Sequence, residues 1–253
     1  MTTALVLVGR SAAGAGDVLA THAARLRERA VADEVTTLQY DHDPVAEIAD
    51  ELAAVEAETV FVSPLVVERE HFPARDVERV TDRTVHVCEP LGWSPALTDA
   101  VLDRADANVS TPAAATLVLV GLGRSSASDR DLAVAYHADR IRERDVYAQV
   151  LDGYLLQNPA VECVRYDVAT EEVVVVPVFP ARCQATEERI PKALGFEPDG
   201  IAAPLGAHPR VTDCIQAELA RERVLREGSR SVPGGAEGGP RLAADGLGDP
   251  TDP

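Results

Sequence analysis

Lysine is almost missing from this chain. Lys192 is the single one in 253 residues, and 24 basic side chains face 42 acidic ones for a formal net charge of −18. A surface of that sign repels nucleic-acid phosphates and anionic membranes, so neither is an expected partner. Aromatics are scarce at 4%, which leaves the cores to Val, Leu, Ile and Ala within a hydrophobic fraction of 46%. No apolar run approaches the roughly 20 residues that span a bilayer. The start, Met1-Thr-Thr-Ala-Leu-Val-Leu-Val, has no basic lead and breaks at Gly9-Arg10; it reads as a first strand rather than a signal peptide and predicts a cytoplasmic protein. Cys88, Cys163, Cys183 and Cys214 lack C-x-x-C spacing, which argues against a zinc ribbon, a redox motif or a disulfide framework and for small buried hydrophobes. Acid-rich, lysine-poor composition resembles that of halophilic proteins, in which a Debye length of about 3 Å at 1 M salt screens self-repulsion.

What the chain does have, it has twice. Ala4-Leu-Val-Leu-Val-Gly9 returns as Thr116-Leu-Val-Leu-Val-Gly121, His22-Ala-Ala-Arg-Leu-Arg-Glu-Arg29 as His137-Ala-Asp-Arg-Ile-Arg-Glu-Arg144, and Pro90-Leu-Gly-x-x-Pro-x-x-Thr-Asp99 as Pro204-Leu-Gly-x-x-Pro-x-x-Thr-Asp213. The order is kept and the offset drifts only between 112 and 115 residues, the mark of a duplicated unit. Two equal lobes make a cleft, and clefts between domains are where ligands usually bind. A monomer is expected, because the two lobes mimic a dimer.

Apolar strand-like runs near residues 3–8, 34–39, 59–64 and 84–88 alternate with helical patterns near 14–30, 44–55, 74–81 and 94–105. In the second copy the strands fall near 116–120, 147–153, 171–177 and 199–203, and the helices near 128–144, 159–168, 186–194 and 209–226. Runs such as Val173-Val-Val-Val-Pro-Val178 show little polar alternation, which predicts strands covered on both faces. The expected fold is therefore α/β: two tandem lobes, each a four-stranded parallel sheet flanked by helices. The expected boundaries are a first lobe over 1–107, a linker over 108–115, a second lobe over 116–226, and a disordered Gly-rich, acidic tail over 227–253.

In parallel sheets, ligands meet the loops after the carboxyl ends of strands. Gly9, Gly14 and Gly16 follow the first strand, but their G-x-x-x-x-G-x-G spacing matches neither the dinucleotide fingerprint nor a P-loop, and no lysine is near. No nucleotide is expected. The loop after the third strand reads Pro64-Leu-Val-Val-Glu68-Arg69-Glu70-His71-Phe-Pro-Ala-Arg75-Asp76. A histidine among carboxylates offers an imidazole to a divalent metal, with a carboxylate left to accept protons. A solvated charged loop with an incidental His71 reads equally well, so both readings stay open. His42, in Asp41-His42-Asp43-Pro44, is a second candidate metal ligand. His22, His137, His86 and Trp93 read as packing or capping groups, and His208 as a turn or cap.

Leu5-Val-Leu-Val-Gly9, Pro64-Leu65 with Asp76-Val77 twelve residues on, and Val85-His-Val-Cys-Glu-Pro90-Leu-Gly resemble the sirohydrochlorin cobaltochelatase family. The second half resembles it through Val176-Pro177-Val-Phe, Thr186-Glu187, Ile190-Pro191 and Pro204-Leu-Gly, so the resemblance covers residues 3–222. It implies a chelatase-like fold and the insertion of a divalent metal, cobalt here and iron or nickel in relatives, into the tetrapyrrole sirohydrochlorin without nucleotide hydrolysis, in cobalamin or siroheme synthesis. The family's G-H-G-S segment is replaced by Gly9-Arg10-Ser11-Ala12 and by Gly121-Leu122-Gly123-Arg124, and Phe72 and Ala185 stand where a second family histidine would be. His71, one place earlier, is the only metal ligand carried over.

Metal insertion needs a ligand for the ion and a base for two displaced pyrrole protons; His71 suits the first, Glu70 or Glu68 the second. A guanidinium has no lone pair to give but pairs with carboxylates, and sirohydrochlorin carries eight of them. Arg10, with Ser11 beside it, Arg69, Arg75 and Arg124 are thus candidate substrate clamps, ordinary surface ion pairs being their other reading. Three functions compete: a chelatase, a catalytically degenerate paralogue that binds metal or tetrapyrrole, and a two-lobe small-molecule-binding module.

Overall fold

The structure, a computed structural model, describes residues 2–124 and 132–230. The first repeat runs β1 (Thr3–Arg10), α1 (Ala15–Glu28), β2 (Glu34–Tyr40), α2 (Pro44–Ala54), β3 (Thr59–Pro64), α3 (Ala74–Val77), β4 (Thr84–Val87) and α4 (Pro95–Asp106). The second runs β5 (Ala115–Gly121), α5 (Ala133–Arg142), β6 (Gln149–Tyr154), α6 (Val161–Val164), β7 (Glu172–Pro177), α7 (Ile190–Leu194), β8 (Gly200–Ile201) and α8 (Pro209–Arg230). Every ladder is parallel, in the orders β2-β1-β3-β4 and β6-β5-β7-β8.

Strand pleating splits each apolar run between two cores. Leu5, Leu7 and Phe61 face inward and join Leu117, Leu119, Val174 and Val176 of the other sheet in one central cluster, with α1, α4, α5 and α8 between the sheets. Ala4, Val6 and Val8 face outward, onto Ile48 and Leu52 of α2, and Val118, Val120 and Val175 form the matching outer core of the second lobe. The last helix of each repeat crosses over: α4 lies against β7, and α8 against β3.

That exchange explains the repeated motifs, which are one another's partners. His22 on α1 is fully buried, with Nδ1 2.8 Å from Thr212 Oγ1 on α8 and Nε2 3.1 Å from the Gly206 carbonyl. A carbonyl only accepts, so Nε2 carries the proton and the Thr212 hydroxyl donates to Nδ1. His137 on α5 repeats the contact with Thr98 on α4 at 2.8 Å; Gly92 lies beside it, although Nε2 has no well-formed bond among the described residues. One helical face further along, Arg29 pairs with Asp213 at 2.8 Å and Arg144 with Asp99 at 2.6 Å. Each lobe's first helix thus grips the other lobe's last one.

The differences from expectation sit at element ends. Helix α3 stops at Val77, and the Glu78 carboxylate turns to accept from Val87 N at 3.2 Å. Strand β8 is two residues long between Pro198 and Pro204, α6 is a single turn, and α8 continues through residues 227–230, where a tail was expected. Residues 128–131 of the expected fifth helix and the tail from 231 to 253 lie outside the described residues. Cys88 and Cys214 are buried as expected, but Cys163 is exposed and Cys183 only half-buried, because Cys163 falls on the outer face of the short α6 turn.

Candidate functional site

β1 lies between β2 and β3, the point where the strand order reverses, and its C-terminal rim gathers most of the expected site. Register sets Arg10 beside Tyr40 and Val8 beside Pro64. Ser11 N donates to the Tyr40 carbonyl at 2.8 Å, and Arg10 Nε donates to the Asp41 carbonyl at 3.0 Å. The Asp41–Asp43 loop is held from below by Glu47, whose carboxylate accepts from the backbone N–H of Asp41, His42 and Asp43 at 2.6–2.8 Å. Those three donors bring its pKa down to about 2. Asp43 caps α2 through Val45 N and Ala46 N, so the exposed His42 rides on a fixed turn.

After β3 the chain runs buried through Leu65–Glu68, then makes a 3₁₀ turn over Arg69–His71. His71 is half-buried on this turn. Phe72, at the family's histidine position, points into the outer core with its ring 6.2 Å from that of Tyr40. Glu68 is only 6% exposed, and both its oxygens accept from Ala133 N, at 3.0 and 3.2 Å. This first-lobe carboxylate therefore caps the first turn of second-lobe helix α5, a geometry that favours a negative charge.

Next to this loop is a cavity of about 420 Å³ lined by Glu68, Arg69, Glu89, Pro90, Trp93, Glu218 and Arg221. Its walls come from the ends of β3 and β4 and from α8 of the other repeat. Arg69 pairs with Glu89 at 2.6 Å, and Arg221 with Glu218 at 3.4 Å. Burial holds the Glu218 pKa above the ordinary carboxylate value; Arg221 opposes the shift, and the charges of Glu89 and Glu222 add to it. Trp93 leans on Tyr136 at 5.2 Å, and Tyr136 carries the Arg140 guanidinium at 5.5 Å, which leaves the indole 38% exposed at the cavity edge.

The structure thus brings Glu68 and Arg69 to one cavity and sets His71 on the turn that borders it. Arg10, Ser11 and His42 stand on the adjoining rim, while Arg75 is exposed on α3. Arg124 is half-buried in the loop after β5, its backbone N–H donating to Gln157 Oε1 at 3.2 Å. The Glu70 side chain lies outside the described groups. Among the described residues, no three His, Cys, Asp or Glu side chains are gathered as a metal cage, so His71 and His42 do not share one. Glu89, Glu218 and Arg221 were not expected. Two of them arrive on α8, and only knowledge of the helix exchange brings Glu218, 150 residues from Glu68, into this cavity.

Two parallel-sheet lobes with exchanged helices and a rim of charged loops after the first lobe's strands define a chelatase-like protein. The chain belongs to the CbiX family, whose model matches residues 3–108 and again 116–222. A similar curated protein is a probable sirohydrochlorin cobaltochelatase of Halobacterium salinarum, 27% identical over an aligned length of 222, with 75% of this chain and 75% of that one covered. Among solved structures, a multi-domain protein of Deinococcus radiodurans with structural similarity to chelatases and two additional domains superposes with a TM-score of 0.71 at 23% identity; 88% of this chain covers 55% of that one. SirB from Bacillus subtilis with Fe3+ superposes with a TM-score of 0.70 at 18% identity, over 90% of this chain and 98% of that one.

Proposed function

We propose that this protein inserts a divalent metal ion, cobalt in the first instance, into sirohydrochlorin in cobalamin or siroheme synthesis. Membership of the CbiX family and the name of the Halobacterium relative support the reaction. The observation that carries it is the cavity beside the β3 loop, where a carboxylate with raised proton affinity, Glu218, stands next to Glu89 and to the turn bearing His71. Insertion exchanges two pyrrole N–H protons for one M2+, so the site must hold an ion and accept two protons. His71 offers the imidazole for the ion. Glu218, whose proton affinity burial raises, takes up protons, since a base works best when its pKa lies close to the operating pH. Glu70 stays a further candidate base, whereas Glu68 is committed to capping α5. Arg10, Arg69, Arg75 and Arg124, with Ser11, hold the carboxylates of the macrocycle, and the Trp93 indole offers it an apolar face. His42 stands on the rim as a candidate ligand for the ion on its way in.

The direct test follows visible absorbance after sirohydrochlorin and Co2+ are mixed with the protein in high salt, against a metal-only blank. His71→Ala and Glu218→Gln are each expected to slow metallation at least about tenfold, and undiminished rates in both would remove this site. A second reading, a paralogue that binds tetrapyrrole without turnover, is favoured by Arg10 and Leu122 standing where the family has histidine. It predicts quenching of Trp93 fluorescence by sirohydrochlorin with no metallation above the blank.

A further inference from the structure

Glu68 joins the turn that carries His71 to a helix of the other lobe, and it does so with two parts of itself. Its side chain, 6% exposed, accepts from Ala133 N with both oxygens at 3.0 and 3.2 Å. Leu132, at the cap position of α5, has no polar group of its own to offer there. Its main-chain carbonyl accepts from His71 N at 3.1 Å and so closes the 3₁₀ turn over Arg69–His71. The surroundings are tightly set. Leu91 N donates to the Val66 carbonyl at 3.1 Å, Gly92 leaves no room for a Cβ between Val67 and Ala133, and Trp93 leans on Tyr136 of α5. The β3 loop and the β4 loop, two walls of the first-lobe cavity, thus both rest on the first turn of the same second-lobe helix.

The duplication supplies a comparison within the molecule. Contacts that dock the lobes are built twice: His22 with Thr212 is matched by His137 with Thr98, and Arg29 with Asp213 by Arg144 with Asp99. The Glu68 clamp is built once. By the spacing of the repeats, Ala181 stands in its place in the second lobe, a methyl that accepts nothing, and the loop after β7 carries no histidine. A contact needed only to hold the lobes together would be expected on both sides. This one occurs only where His71 does.

We infer that Glu68 is a positioning residue for metal insertion, an inference that rests on the chelatase reading: anchored on α5 of the second lobe, it fixes the turn that holds His71 and Arg69 at the cavity. A misplacement of about 1 Å in a reacting group costs on the order of 10²-fold in rate, so a slack turn shows in the rate. Glu68→Met and Glu68→Gln test this as a pair, since they fill similar space and differ in the oxygen that accepts from Ala133 N. Glu68→Met is expected to slow cobalt insertion about thirtyfold, and Glu68→Gln to stay within about threefold of wild type. Gly206→Ala, which costs stability in the second lobe away from this cavity, is expected to lower the urea midpoint and leave the rate as it was. Equal slowing by Glu68→Met and Glu68→Gln would make the carboxylate a base rather than a clamp, and matching slowing by Gly206→Ala would reduce the effect to stability. Either result overturns the inference, as does full-rate insertion by Glu68→Met. Amide hydrogen exchange, followed by NMR with no metal or tetrapyrrole present, separates the clamp from the reaction. Glu68→Met is expected to speed exchange about fivefold or more at Ala133 and also at His71, although the His71 amide bonds the Glu68 main chain and not the lost carboxylate. Faster exchange at Ala133 alone overturns the positioning whatever the rates. Faster exchange at both, in a protein whose wild type does not metallate sirohydrochlorin, keeps the clamp and sinks the chelatase reading instead.

Discussion

At the residue scale, the two glycines of the repeated Pro-Leu-Gly show how one motif letter answers to two physical demands. A Cβ on Gly92 would stand 2.2 Å from the Val67 carbonyl oxygen and 2.5 Å from Ala133 Cβ, both parts of the lobe junction that cannot swing aside. A Cβ on Gly206 would make only ordinary contacts, 3.6 Å from the Pro204 carbonyl oxygen and 3.8 Å from Arg104 Nη2, but its φ is +51°. Gly92→Ala is expected to cost about 3 kcal/mol through overpacking, and Gly206→Ala about 1 kcal/mol through backbone conformation alone. Urea midpoints rank them, and equal costs would refute the close approach at Gly92. The repeat was plain in the sequence; which glycine is crowded was not, because its neighbours lie 25 and 41 residues away. Glu68 teaches the same lesson. Its place in an acidic loop suggests a base, and only the position of Ala133 N makes it a helix cap.

At the scale of elements, the alternation of strands and helices was legible because parallel strands buried on both faces read as unbroken apolar runs, as in Val173–Val176. The crossing of α4 and α8 was not legible, since an amphipathic helix fits the sheet of either lobe equally well. The pairing of His22 with Thr212 and of His137 with Thr98 follows from that crossing and carries a pH dependence. Burial drives both histidines down to about 4, opposed by the Gly206 and Gly92 carbonyls and aided by Arg25 and Arg140. The unfolded chain, with histidine near 6.5, therefore takes up protons first as pH falls. Stability is intact above about pH 6.5 and drains away down to about pH 4, by about 3 kcal/mol for each histidine. Protonation also breaks the arrangement directly, since a charged imidazole has no acceptor nitrogen left for the threonine hydroxyl. Urea unfolding of wild type and His22→Gln/His137→Gln at about pH 7 and about pH 4.5 checks this. The wild type is expected to lose several kcal/mol more than the variant, and parallel losses would place the acid sensitivity elsewhere.

At the scale of the whole molecule, two opposed electrostatic effects meet, and magnitudes decide between them. The junction pairs Arg29 with Asp213 and Arg144 with Asp99, but all four side chains are 35–50% exposed, so each pair contributes only about 0–1 kcal/mol and salt weakens it. Against that stands the mutual repulsion of a chain with a net charge of −18, which grows on compaction and falls when the Debye length shrinks from about 10 Å at 0.1 M to about 3 Å at 1 M. Repulsion acts over the whole surface and the pairs at a few points, so screening should win. The unfolding midpoint is expected to rise with KCl. The shape of the rise identifies its cause: screening is exhausted once the Debye length is shorter than the spacing of surface charges, whereas preferential exclusion of salt keeps adding stability into the molar range. A curve that climbs steeply below about 1 M and then flattens, and that sucrose does not reproduce, marks screening. A midpoint that falls with KCl would mean that the pairs between the lobes, not the acid surplus, govern how tightly the two halves close on their cleft.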